Sequence, residues 1–413
     1  MKRVILHCDA NNFYASVECA KNPALKGYAL AVGGDEEKRS GIILAKSNEA
    51  KKMGVSTGEP IWQAKQKCPD LLILPPDFSA YTQYSNALFK IYSSYTDKVE
   101  CFGLDECWLD LSDTPFGKNG KATADKIREQ VKKELGITIS VGVSFTKVFA
   151  KLGSDYKKPD ATTVFDENNF KKIVWNLPVS DLLMVGRQTT KFFENVGIRS
   201  IGDLANMSRE LLKEKLGIVG EHLHDYANGV EIDSVKNYYD HDIPSSVGNG
   251  STASKDMNTE SEAMSLIVTL CESVATRLRQ YGLKACGVHL GLKSNEFKYA
   301  GKQNPLPNPS NNSADMINES HILLQELWLP TMEIPLRAIT VTAINLISSD
   351  EGYQQNFFAD DEPTLKEENL EKSVDKIRDK YGYNSIQRGR TLINTFTTDK
   401  IVEDKEFRPF KKN

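Results

Sequence analysis

The chain has no excess of basic charge: 52 lysines and arginines stand against 56 aspartates and glutamates, a formal net charge of −4. A protein that grips nucleic acid over its whole surface is not expected from that balance, so any basic face has to be local. Its 7 cysteines are odd in number and contain no Cys-x-x-Cys pair, which argues against a disulfide framework and a structural zinc site. A reducing cytoplasm is the simplest fit. No apolar run is long enough to span a bilayer, so no membrane role is expected. Behind Lys2 and Arg3 the apolar stretch stops at Asp9, too short for a secretory signal. What remains is a globular composition, 40% hydrophobic and 26% charged over 413 residues, long enough for about three domains.

The chain is organised around Cys101-Phe102-Gly103-Leu104-Asp105-Glu106-Cys107-Trp108-Leu109-Asp110-Leu111. Phe102 and Leu104 before the acids, and Trp108, Leu109 and Leu111 after them, have the character of half-buried strands. Asp105 and Glu106 fall where such a strand pair would turn. An acidic pair at a strand end is ordinarily a solvated turn. A third carboxylate argues otherwise, because Val4-Ile5-Leu6-His7-Cys8 reads as a short buried strand ending on Asp9. A fold that joins these strand ends brings three carboxylates to one point, and a divalent cation is an economical way to compensate them.

After Asp9 the chain reads as entering a helix with an asparagine as cap, Phe13 and Tyr14 facing the same place. Tyr28–Val32 and Gly41–Ala45 are strand candidates. The turn between them contains Gly33-Gly34-Asp35-Glu36, similar to a diguanylate cyclase signature but better read as hairpin punctuation. A helix over Asn48–Met53 stops at Gly54, and one of its lysines, Lys51 or Lys52, could bind a triphosphate. Helices over 81–96 and 122–135, a β-branched strand over 137–144, a short helix at 147–152 and a basic turn at 155–160 complete an α+β layer with helices on one face, of ferredoxin type. From 176 to 232 the pattern is helical. Leu216-Gly217-Ile218-Val219-Gly220, followed by a helix from Glu221, resembles a helix-hairpin-helix, whose glycines Gly217 and Gly220 let backbone amides approach a DNA phosphate. A linker follows, then a strand-helix-strand-helix-strand pattern over 251–348. Between 277 and 302 stand Arg277, Arg279, Lys284, Lys293, Lys298 and Lys302, with Glu296 the only acid, a local basic surface. In the acid-rich tail, Phe357 and Phe358 are aromatics with little to bury them, as expected of a partner site.

Together these pieces resemble the Y-family translesion DNA polymerases, of the DinB/UmuC branch. The resemblance rests on Asp9–Glu18, on Leu104–Asp110, and on Ser140–Ser144 with Lys147–Lys151 and Lys158-Pro159. It implies a right-hand α+β architecture: a palm (1–19 and 77–175), fingers (20–76), a helical thumb (176–235), a linker (236–247), a little finger (248–348) and a tail (349–413). It implies that Asp9, Asp105 and Glu106, with the Ala10 carbonyl, bind two Mg²⁺ ions. Tyr14 would be the steric gate against a 2′-hydroxyl, Phe13 would line the sugar pocket, and Lys51 and Lys158 would hold the triphosphate. Asn48 would belong to the same nucleotide site, standing where relatives usually have a tyrosine that contacts the phosphates, while Gly103 stands where many have serine and Cys107 where they have alanine. Arg277, Arg279, Lys293 and Lys298 would grip duplex DNA. Gln354, Phe357 and Phe358 resemble a sliding-clamp-binding pentapeptide, and the segment from Ser373 resembles tails of Gram-positive members. The implied function is template-directed DNA synthesis from dNTPs on primer-template DNA during damage bypass, with a clamp and an accessory protein as further partners. The rival readings are a catalytically inactive repair accessory and a palm-type nucleotide cyclase.

Overall fold

The computed structural model describes residues 3–34, 41–231, 233–238, 243–328, 334–351 and 361–389. The chain forms two compact units, the first of Met1–Gly34 with Ile42–Asp240 and the second of His241–Asn413 with Asp35–Gly41.

In the first unit, β1 (Ile5–Ala10) leads into α1 (Phe13–Lys21), followed by β2 (Leu30–Gly33), β3 (Ile43–Lys46), α2 (Asn48–Lys52), α3 (Ile61–Lys67), β4 (Leu72–Leu74) and α4 (Phe78–Ser93). The hairpin β5 (Val99–Cys101) and β6 (Glu106–Asp110) comes next, then α5 (Gly120–Leu135), β7 (Ile139–Ser144), α6 (Lys147–Tyr156) and β8 (Thr162–Phe165). The helical remainder is α7 (Phe170–Ile173), α8 (Arg187–Asn195), α9 (Ile201–Ala205), α10 (Arg209–Leu216) and α11 (Ile218–Ala227).

The central sheet has the order β5-β6-β1-β7-β8, with β1 antiparallel to both neighbours and β7 parallel to β8. All six residues of β1 are buried. Leu6, Cys8 and Ala10 face a core shared with Leu88, Ile91 and Tyr92 of α4 and Ala124, Ile127 and Val131 of α5. The alternate residue Ile5 packs with Trp108 and with Ala150 of α6. Helices therefore cover both faces, where the sequence pattern had suggested one. Gly142 in β7 makes this possible: a Cβ there would lie 1.9 Å from the Ala150 carbonyl oxygen and 2.5 Å from the Ser154 nitrogen, so only glycine lets α6 lie directly on the strand.

A smaller sheet, β3-β2-β4, pairs β2 antiparallel with β3 and parallel with β4. Of the expected hairpin tip between β2 and β3, Gly33 ends β2 and the Gly34 N–H donates to the Ile42 carbonyl at 3.1 Å, while residues 35–40 lie outside the described residues. In the helical part, α11 starts at Ile218 rather than Glu221. Gly217 has φ +66, open to solvent on its Cβ side, whereas a Cβ at Gly220 would fall 2.1 Å from the Leu212 carbonyl oxygen. Gly220 is thus a packing contact between α10 and α11. Its N–H is already donated to the Gly217 carbonyl at 3.0 Å, which removes it as a phosphate donor.

The second unit comprises β9 (Ser246–Met257), α12 (Glu260–Tyr281), β10 (Leu283–Ser294), β11 (Tyr299–Ser310), α13 (Ser313–Leu327), β12 (Leu336–Ser348) and α14 (Asp361–Tyr381). Its antiparallel sheet has the order β11-β10-β12-β9. Leu290 and Leu292 of β10 and Ile339 and Val341 of β12 pack on Ile267, Leu270 and Val274 of α12 and Leu323 of α13. β9 begins at Ser246, inside the stretch read as a linker. β11 is an additional strand, and it carries Pro305, Pro307 and Pro309. Proline at alternate positions withholds N–H donors on one side only, which an edge strand tolerates and an interior strand does not.

Candidate active site

β1 aligns Asp9 with Glu106 on β6 and with Ser140 on β7, so two of the expected carboxylates are direct cross-strand neighbours. The Ala10 N–H donates to the Asp105 carbonyl at 3.0 Å, which fixes the third acid at the mouth of the hairpin. Alternation along β1 adds a residue the sequence reading did not single out. His7 shares the face of Asp9, and one ligand atom each of His7, Asp9 and Glu106 lie within 4.8 Å of one another. The His7 Nδ1 is 2.8 Å from Ser154 Oγ. Its Nε2 is 3.3 Å from Glu106 Oε2, a buried atom without an aligned hydrogen-bond partner. The Asp105 carboxylate stands outside this cluster, close enough to Glu106 and Lys158 to feel both charges.

Two lysines cap the acids. Lys151 of α6 pairs with Glu106, and Lys158 pairs with Asp9 at 2.7 Å and with Asp155 at 2.8 Å. Lys158 is held there by its loop: the Asn11 side-chain carbonyl accepts from the Asp160 N–H at 2.9 Å and from the Thr138 hydroxyl at 3.1 Å, while its amide donates to Ser140 Oγ at 2.9 Å. Lys151 escaped the sequence reading as a site residue; its signal is the helical step that follows Lys147 by one turn.

Burial pushes the Asp9 carboxyl up to about 6 against the pull of Lys158. Asp105 is also raised, by burial and then by the charge of Glu106. Burial would raise Glu106 too, but the His7 imidazole and the Lys151 ammonium outweigh it and hold the group at about 2. His7 is lowered by burial. Converging carboxylates, two of which, Asp9 and Asp105, have a raised affinity for a proton, want a cation, and oxygen donors suit a hard divalent one. The residues present fit such an ion, with the lysine ammoniums yielding their places to it.

Tyr14 is half-buried and stacks on Tyr81 with ring centroids 4.3 Å apart, edged by Phe78. Phe13 is only 4% exposed and belongs to the core, so it does not line an open pocket as expected. Asn12 adopts φ 49, ψ 44 and makes no capping bond. Its side chain instead donates to Asn48 Oδ1 at 2.9 Å, which brings Asn48 beside the end of β1. Lys51 is exposed on α2.

In the second unit the basic run is divided. Arg279 is only 7% exposed at its side chain and is bound to Asp375 at 2.6 Å and to Glu371 at 3.0 Å, both on α14. Lys284 pairs with Glu368 at 3.3 Å. Arg279 is therefore an internal tie of the unit and not a free basic group. Arg277 donates to the Gly248 carbonyl at 2.9 Å, and Lys298 pairs with Glu296 at 2.8 Å on the exposed surface. Lys293 lies between the rings of Phe297 and Tyr299, 4.9 and 4.8 Å from their centroids. Gln354, Phe357 and Phe358 lie outside the described residues. Among the described residues, no helix is long and apolar enough to cross a membrane.

A five-stranded sheet that presents paired acids at a central strand end, with a helical module after it and a separate antiparallel unit, defines the right-hand polymerase class of fold. A solved Y-family DNA polymerase chimera matches it with a TM-score of 0.74, over 84% of this chain and 99% of that one, at 22% identity. The chain belongs to the impB/mucB/samB family: residues 8–155 match the family and residues 244–357 match its C-terminal domain. A DNA polymerase IV of Acetivibrio thermocellus is 45% identical over 95% of this chain and 98% of that protein. DNA polymerase IV 1 of Bacillus subtilis is 36% identical over 94% and 93%.

Proposed function

We infer that this chain is a template-directed DNA polymerase of the error-prone translesion type, adding deoxynucleotides to a primer 3′-hydroxyl during DNA damage bypass with Asp9, Asp105 and Glu106 as its divalent-cation ligands. The class follows from the near-full-length relatives named DNA polymerase IV. The observation that carries the site is the pairing of Asp9 with Glu106 across the central strands. Mg²⁺ is the cation that hard oxygen donors favour, and two bound ions would activate the primer hydroxyl and stabilise the departing pyrophosphate. The remaining work belongs to the chain. Lys158 passes from Asp9 to the triphosphate, joined by Lys51 and Asn48, and Lys151 keeps Glu106 oriented once its charge is shared. Tyr14, braced by Tyr81 and Phe78, presents a rigid ring to the sugar. The α11 start after Gly217 offers its first amides to a DNA phosphate, and Lys293, Lys298 and Arg277 contribute to the grip of the second unit on duplex DNA. Gln354, Phe357 and Phe358 engage a sliding clamp, and an accessory protein is a further partner.

The deciding experiment is primer extension on an undamaged template with Mg²⁺ and all four dNTPs, comparing wild type with Asp105→Ala. Extension by the wild type alone is the expected result. No extension by either protein, with DNA binding retained, would overturn the assignment in favour of an inactive accessory.

A further inference from the structure

The strand register that brings Asp9 opposite Glu106 also lines up three thiols in the next row: Cys8 opposite Cys107 on β6, and Cys107 opposite Cys101 on β5. Cys101 and Cys107 have their sulfurs 3.4 Å apart. Cys101 is exposed and Cys107 buried. The Phe102 N–H donates to the Glu106 carbonyl at 2.9 Å, so the 102/106 pair is hydrogen-bonded and the 101/107 pair falls on the closer, non-hydrogen-bonded position. There, facing Cα atoms stand about 4.5 Å apart, within the span a disulfide can bridge.

We propose that Cys101 and Cys107 are a reversible oxidation site, in which a cross-strand disulfide closes the hairpin that carries Asp105 and Glu106 and suspends synthesis. The oxidant is a low-molecular-weight disulfide. The exposed Cys101 thiolate attacks one of its sulfurs, breaking that S–S bond and releasing one thiolate; the Cys107 thiolate then attacks the Cys101 sulfur and expels the second. The protein loses two electrons and two protons, and the reagent gains them as two thiols. Bond formation draws the sulfurs from 3.4 Å to about 2.05 Å, on the residue that precedes the hairpin turn and the residue that follows Glu106. Displacing catalytic groups by about 1 Å costs on the order of 10²-fold in rate. The effect on synthesis rests on Asp105 and Glu106 being the polymerase ligands; the cross-link itself does not.

The test treats the full-length protein with glutathione disulfide, then measures intact mass, non-reduced peptides and primer extension. The expected result is a mass lower by two hydrogens, a Cys101–Cys107-linked peptide, and extension reduced about 10²-fold that returns with dithiothreitol. Cys101→Ser should keep basal extension and lose both the link and the sensitivity. A reaction that stops at a glutathione adduct, a bridge between Cys8 and Cys107 instead, or a Cys101–Cys107 bridge that leaves extension unchanged would each overturn the proposal. Absence of extension in the reduced wild type would count against the polymerase reading, while the bridge would still stand or fall on the mass.

Discussion

At the scale of single residues the site is built from groups the fold makes uncomfortable. Asp9 is 5% exposed, and its carboxyl is pushed up to about 6 by burial although Lys158 opposes the shift. The folded protein thus holds a proton that the unfolded chain has lost between pH about 4 and 6, so this group's contribution to stability falls as pH rises through that window. The cost of ionised Asp9 at neutral pH is on the order of 3 kcal/mol. Asp9→Asn should therefore abolish extension yet raise the melting temperature of the metal-free protein at pH 7.5, the gain fading towards pH 4. A lower melting temperature at pH 7.5 would show that the carboxylate stabilises its site. Tyr14 makes the complementary case: Tyr14→Ala should admit ribonucleotides while DNA binding is retained, and unchanged sugar discrimination in single-nucleotide incorporation would remove the gate assignment. Asp9, Asp105 and Glu106 stand out in the sequence as candidates because charge beside buried strands is chemically conspicuous. His7 and Lys151 stand out less. A histidine inside a buried strand and a lysine on a helix resemble ordinary packing and solvation until the register puts each against Glu106.

At the scale of elements, α6 links the sheet to the site, since it carries Lys151 and ends just before Lys158. Its position depends on one missing side chain. Gly142→Ala would drive a Cβ into backbone atoms of Ala150 and Ser154, and neither can rotate away. The expected cost is about 3 kcal/mol, read as a lower urea midpoint. Extension should fall further than stability alone explains, because both lysines move with the helix; an unchanged midpoint would mean that α6 is free to shift. β1, α5, β7 and α12, where the sequence pattern and the structure agree, are elements whose apolar period is complete within the element. The hairpin is shifted, because β5 ends at Cys101 and Glu106 opens β6, which leaves Phe102, Gly103, Leu104 and Asp105 as the turn. β4 is three residues long and takes its stability from pairing beside β2. β11 hides behind three prolines that its edge position makes harmless. Gly220 reads as loop grammar in sequence, but it is a helix contact because α10 and α11 approach closely there.

At the scale of the molecule, the near balance of charge conceals how the acids are used. The acid-rich tail supplies Glu371, Glu368 and Asp375 on α14, which take Arg279 and Lys284 from the basic run. The same helix carries Arg378, only 4% exposed, which donates to Glu272 of α12 at 2.9 Å. Tyr383 and Arg388 donate to Glu272 as well, at 3.2 and 2.8 Å. One carboxylate thus holds three donors from the end of the described chain, and nothing in the local sequence announces it, because its partners lie more than a hundred residues away. Removing it leaves a buried guanidinium unpaired, a change that typically costs about 3–5 kcal/mol. Since the chain forms two compact units, we expect calorimetry to resolve two transitions that respond to different perturbations. Mg²⁺ with a dNTP should raise the transition of the unit containing Asp9, Asp105 and Glu106, as ligands of the folded state do. Glu272→Ala should lower the other by about 10 °C and leave the first, with its ligand response, in place. A single transition that moves with both perturbations would show that the units unfold as one, and α14 would then be stabilising the whole polymerase instead of the second unit alone.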